Sequence, residues 1–332
     1  MPTLPLVALV LGGWDLGVAG DLVLQGVIFA QFAHYTTLYK HDILLLRVFV
    51  WGLLLLTTLK SAQGLAIIWS QNVQHFMEVE AAVELFQTTW FFQLNVAFVA
   101  VIAFYVQIFF CHRLWVISKN IYTVVLTAVL FLFALLAAFV SSGFNFVNDP
   151  VQSSKWIAVH LSTVFAGDII LCLSTAYFLL QHSQDVLPQT AGILNALLKL
   201  TIQSAAPAAI CAFLNLIASQ MPSIERSLSG WTMVAIITNS WLPKLYAFSA
   251  LWTLNSRKGI ARTGEPMTSS EWHRHTVLLD LGSGIGRSIE LSTGTGLHTI
   301  PRAGEYNNND RLPPVILHGK REHSTRLPEV YV

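Results

Sequence analysis

The chain has 332 residues, of which 54% are hydrophobic and 11% charged, with a formal net charge of +1. A soluble globular protein is about 25% charged, so most of this chain cannot offer water an ordinary surface, and its balanced charge gives no sign of a nucleic-acid partner. The charge is also uneven: residues 256–332 hold 10 of the 19 Lys/Arg and 8 of the 18 Asp/Glu. We therefore read residues 1–255 as a membrane domain and 256–332 as a polar tail.

The N-terminus, "MPTLPLVALVLGGWD", lacks a basic n-region and a small-residue cleavage site, so no removable signal peptide is expected. A bilayer core about 30 Å thick needs about 20 mostly apolar helical residues. Seven segments meet that requirement: 15–38, 45–69, 90–114, 121–142, 156–181, 193–218 and 230–254. The fold expected is an all-α integral membrane protein, a seven-transmembrane-helix bundle. The longest interruption, 70–89, is acidic and is expected to include an interfacial helix. Trp69, Trp90, Trp115, Trp156, Trp231 and Trp252 sit at the joints, as an aromatic belt requires.

Lys and Arg set the orientation. Lys40, Arg47, Arg113, Lys119, Arg257, Lys258 and Arg262 fall on one side, against Lys155 and Arg226 on the other. The N-terminus is expected outside and the C-terminus in the cytoplasm, most naturally at the plasma membrane. The tail, rich in Gly, Ser, Asn and Pro, is expected to be disordered, free to meet a cytoplasmic partner, and dispensable for folding beyond about residue 262. Its "TVLLDLGSGIGR" resembles a cofactor loop, but the rest of an α/β domain is missing around it. Cys111, Cys172 and Cys211 all lie in or beside apolar segments, so no disulfide is expected.

Ionisable residues inside spans are costly and face the bundle interior. Arg47 and Lys199 are near cytoplasmic ends and can snorkel. Asp21, about a turn from the outer end of its segment, is expected to be partly hydrated. Asp168 stands near mid-bilayer, and His160, Asp168 and Thr175 share one helical stripe. Lys60 and Lys244 are also near mid-depth, and either could pair with Asp168. We expect Lys244 to do so, because Pro243 frees backbone acceptors beside it. The candidate polar core is thus Asp168, Lys244, Lys60, His160 and Thr175, structural or ligand-binding. A lysine in a seventh helix also invites a retinal Schiff base, but segment three has no acidic counter-ion. No cofactor or metal is expected.

"LGGWDLGVAGDLVLQGVIFAQ", "FYVQIFFCHRLWVIS", "TVFAGDIILCLSTAYFLL" and "LPKLYAFSALWTLNSR" together resemble a family of seven-span membrane proteins abundant in basidiomycete fungi and without assigned function. The resemblance covers about 10–258 and is most specific at "PKLY…LNSR". It implies the fold and topology above and supplies no chemistry. The chain departs from it in the second segment, where Thr57, Thr58 and Lys60 replace an Asp-x-x-His type pair. The expectation is a receptor-like protein with a small-molecule ligand. The alternative is a transporter or channel for a small solute or ion. Catalysis is not expected.

Overall fold

A computed structural model describes residues 4–40, 42–75, 85, 89–184, 206–221 and 230–257. The tail, most of the 70–89 connection and Lys199 lie outside the described residues, with the expectations that fell on them. Among the described residues every regular element is helical. We number them α1 (Leu4–Leu38), α2 (Leu44–Trp69), α3 (Trp90–Ser118), α4 (Ile121–Phe146), α5 (Pro150–Gln184), α6 (Ala206–Met221) and α7 (Trp231–Asn255). A π-helical turn, Ser70–Gln74, prolongs α2, and a turn at Leu94 interrupts α3.

Local chemistry explains several ends. Asn120 caps α4 by accepting from Tyr122 N at 3.0 Å. Asp149 does the same for α5, accepting from Gln152 N at 3.1 Å, with Pro150 in the first turn, where a missing N–H costs nothing. Lys119 ends α3 in the left-handed conformation, φ 53°. The start of α1 corrects the sequence expectation. "LPLVALVLGG" is apolar enough to continue the helix, so Asp21 lies near the middle of α1 and is buried.

Five helices, α1 to α5, are long and apolar enough to cross a membrane. The described part of α6 is shorter. α7, at 25 residues, spans about 37 Å, which is length enough, but it is not apolar enough to join the five. Its position accounts for that. Apart from Trp231 no residue of α7 is exposed, so its sides meet protein and need not be hydrocarbon.

α1 and α2 are antiparallel: Gln25 donates to Thr58 at 3.1 Å and Asn72 to Asp15 at 2.9 Å. α4 and α5 are antiparallel too, with Ser141 on Ser153 and Ala134 beside His160. α1 and α7, in contrast, run parallel. Trp241 Nε1 donates to Gly17 O at 3.1 Å, Lys244 to Gln25 Oε1 at 2.7 Å, and Asn255 Nδ2 to Gln31 O at 3.0 Å. Glycine allows this closeness: a Cβ on Gly20 would stand 2.2 Å from Trp241 Nε1. At the α4–α5 contact, a Cβ on Gly167 would stand 2.5 Å from the Phe131 ring. The main apolar core gathers Ile28, Leu53, Val106, Ala134, Val164 and Ala247 from six helices.

Candidate functional site

Two polar clusters occupy the middle of the bundle and a third closes one end. The first is built on Lys244, which is 0% exposed. Its ammonium donates to Gln25 Oε1 at 2.7 Å, Thr57 O at 2.5 Å and Ser61 Oγ at 2.8 Å, and lies 3.5 Å from Asp21 Oδ2. Ser61 in turn donates to Asp21 Oδ2 at 2.6 Å. α1 supplies Asp21 and Gln25, and α2 supplies Thr57 and Ser61, each pair four residues apart and so on one face. Each ammonium proton has an acceptor. An imine nitrogen carries at most one proton, so these partners suit a free ammonium and not a Schiff base.

Asp168, 8% exposed, belongs to a different cluster. Its Oδ2 accepts from the Tyr246 hydroxyl and its Oδ1 from Gln107 Nε2 at 3.3 Å. It therefore ties α5 to α3 and α7. Beside it is a cavity of about 40 Å³ whose polar wall is Arg113, Asp168, Thr175, Tyr246 and Ser249 and whose apolar wall includes Phe110 and Ala208. That is room for a few water-sized groups. Arg113 is 6% exposed here, not in a loop, because α3 runs on through "LWVIS" for more than a turn.

The expected Lys244–Asp168 pair is therefore corrected. Residues two apart on a helix point about 200° from each other, so Lys244 turns to α1 and α2 while Tyr246 turns to α5. The acceptors that Lys244 finds are also not those freed by Pro243 but belong to other helices. Lys60 is buried beside Asp21 and does not reach Asp168. His160 and Thr175 share the buried stripe with Asp168. His160 Nδ1 donates to Ala134 O at 2.8 Å, pinning α5 to α4, and only Thr175 joins the cavity, its hydroxyl donating to Leu171 O at 2.7 Å. Asp21, Gln25, Ser61, Gln107 and Tyr246 were missed as partners. The signal available for the first three was the polar pairing at i and i+4 within otherwise apolar helices.

The third cluster lies where α1 ends and α7 ends. Asp42 Oδ2 accepts from Arg257 Nη2 at 2.5 Å and from Tyr35 OH at 2.8 Å. Arg257 also covers the Tyr39 ring at 4.7 Å, and Tyr39 OH donates to Asn255 O at 3.1 Å. Burial disfavours the charged form of Asp42, but the hydrogen bonds from Arg257 and Tyr35 outweigh it, holding the carboxyl below its ordinary range. Four of the five polar residues in "PKLY…LNSR" thus bind another part of the chain, namely Lys244, Tyr246, Asn255 and Arg257, while Ser256 donates one turn back to Trp252 O.

The model of a family of unknown function, DUF6534, matches residues 164–259. The match takes in Asp168 and the whole of α7. No curated protein and no protein of solved structure matches the chain.

Proposed function

We propose that this chain is a receptor-like, seven-span integral membrane protein whose cavity beside Asp168 takes a small ligand. We place its N-terminus outside, its C-terminus in the cytoplasm of a plasma-membrane location, and its origin among the fungal proteins that its "PKLY…LNSR" ending resembles. Seven crossings are supported by helix direction. α1 to α5 alternate, and α7 runs parallel to α1, so α5 and α7 point the same way. One more crossing between them would satisfy both directions, and α6 is the described apolar helix on that stretch.

The observation that carries the binding role is the Asp168 junction. A ligand group that entered the cavity and took Asp168 as its acceptor would compete with Tyr246 and Gln107, and so would act on α3, α5 and α7 together. The cavity admits only a small polar group, such as an amine or hydroxyl, with any apolar remainder against Phe110 and Leu171. The role is binding, without catalysis, and the tail is where a cytoplasmic partner would be met. A screen for compounds that raise the melting temperature of the purified protein tests this. A hit should stabilise wild type and lose its effect on Asp168→Asn. Equal stabilisation of both would rule out the site.

The alternative, a transporter or channel, draws on the other cluster. Charged groups at mid-depth mark ion paths in many membrane proteins, and Asp21, Lys60 and Lys244 are such groups. Flux of a small solute into proteoliposomes, abolished by substituting Lys60, would favour it.

A further inference from the structure

Around Asp21 the charges do not balance. One carboxylate faces two lysines, Lys244 at 3.5 Å and Lys60, whose charge the same carboxylate attracts. The two lysines are held very differently. Lys244 has acceptors for all three protons. Lys60, 3% exposed, makes no hydrogen bond among the described residues. Asp21 Oδ1, equally buried, has no partner there either. An ammonium without acceptors in a low-dielectric interior is costly, whereas an uncharged amine there is not.

We propose that Lys60 is a proton-binding site in the middle of the bundle, charging and discharging while Lys244 stays an ammonium. The exchange is plain acid–base chemistry. An Nζ–H bond breaks, the amine keeps the electron pair, and the proton passes to water; the reverse recharges it. Asp21 Oδ1 is the free acceptor through which a water can reach Lys60. The groups facing Lys60 are few. α1 brings Asp21, and α7 brings Lys244. From α3, Tyr105 is bound to Phe49 O towards the other end of α2. Asp15 is engaged by Asn72, and Arg47 is exposed at the start of α2. Among the described residues, Asp21 and Lys244 are therefore the groups placed to bias it. The inference is independent of the ligand reading at Asp168.

Isotope-edited infrared spectroscopy tests it on the full chain in lipid nanodiscs. Lysines carry ¹⁵N at Nζ, and the difference spectrum is taken for a step from pH 7 to 9. Surface lysines, with pKa about 10.4, stay almost wholly charged over that step. Wild type should lose a label-sensitive ammonium band of one lysine's amplitude. Lys60→Arg, which keeps the charge and cannot release it, should lack that loss. So should Lys60→Gln, a second variant in case arginine does not fit. Survival of the band change in either folded variant would overturn the proposal. Wild type alone can also overturn it, because no band change means that no lysine discharges.

Discussion

An ammonium in an apolar bundle needs an acceptor for each proton, and Lys244 meets that need with groups from α1 and α2. Lys244→Met should leave Asp21 short of its counter-charge, and Asp21→Asn should do the converse. Removing one member of a buried pair costs about 3–5 kcal/mol. Chemical unfolding should show the double variant recovering part of the summed loss. Lys244→Met combined with Asp168→Asn should instead be additive within about 0.5 kcal/mol, because the two sites share no partner. Coupling between those two as large as between Lys244 and Asp21 would contradict the assignment. Burial was legible in the sequence for Lys60, Asp168 and Lys244, which all turn inward, but not for Asp21, which was placed too near the end of its segment. Partnership was not. It depends on the angle of each residue around its helix and on which helix stands opposite, and a sequence states neither.

At the level of the helix, the tightest seam is α1 against α7. A methyl group at Gly20 would collide with the Trp241 indole, which cannot yield without losing its bond to Gly17 O. Gly20→Ala should lower stability by about 1–3 kcal/mol, the usual cost of overpacking, and Gly26→Ala, where nothing stands within 4 Å, should not. A melting comparison of the two decides whether the seam or helix propensity matters, since alanine is the better helix former. The apolar runs were legible as helices almost throughout. The ends were less so, because apolar composition does not mark where a helix leaves the hydrocarbon. α1 starts before its segment did, and α3 and α5 overrun theirs. The overrun of α3 is what leaves Arg113 more than a turn inside the helix, where it forms a cavity wall.

For the whole molecule, the Asp42–Arg257 contact puts the end of α1 and the end of α7 on one side. Single cysteines at positions 40 and 260 should label from the same face of sealed vesicles, and one at 148 from the other. Labelling of 148 and 260 from one face would remove α6 as a crossing. The contact is also acid-sensitive. The folded carboxyl of Asp42 is held below its ordinary range. Its stabilisation is therefore complete above the unfolded value, about pH 4, and fades as pH falls through the folded value. The melting temperature of wild type should exceed that of Asp42→Asn near pH 6, with the gap closing towards pH 3.

The parallel pairing of α1 with α7 has a consequence for how the protein is made. Gln25 and Lys244, bonded in the finished bundle, are 219 residues apart. At roughly 5–20 residues per second of synthesis, α1 waits on the order of 10–45 s for its principal neighbour to leave the ribosome. Throughout that interval Asp21 is already in the bilayer without Lys244, and the early hairpin of α1 and α2 has only Lys60 to set against it. The same excess of positive charge that leaves Lys60 loosely held in the mature bundle supplies the nascent one with its first counter-ion.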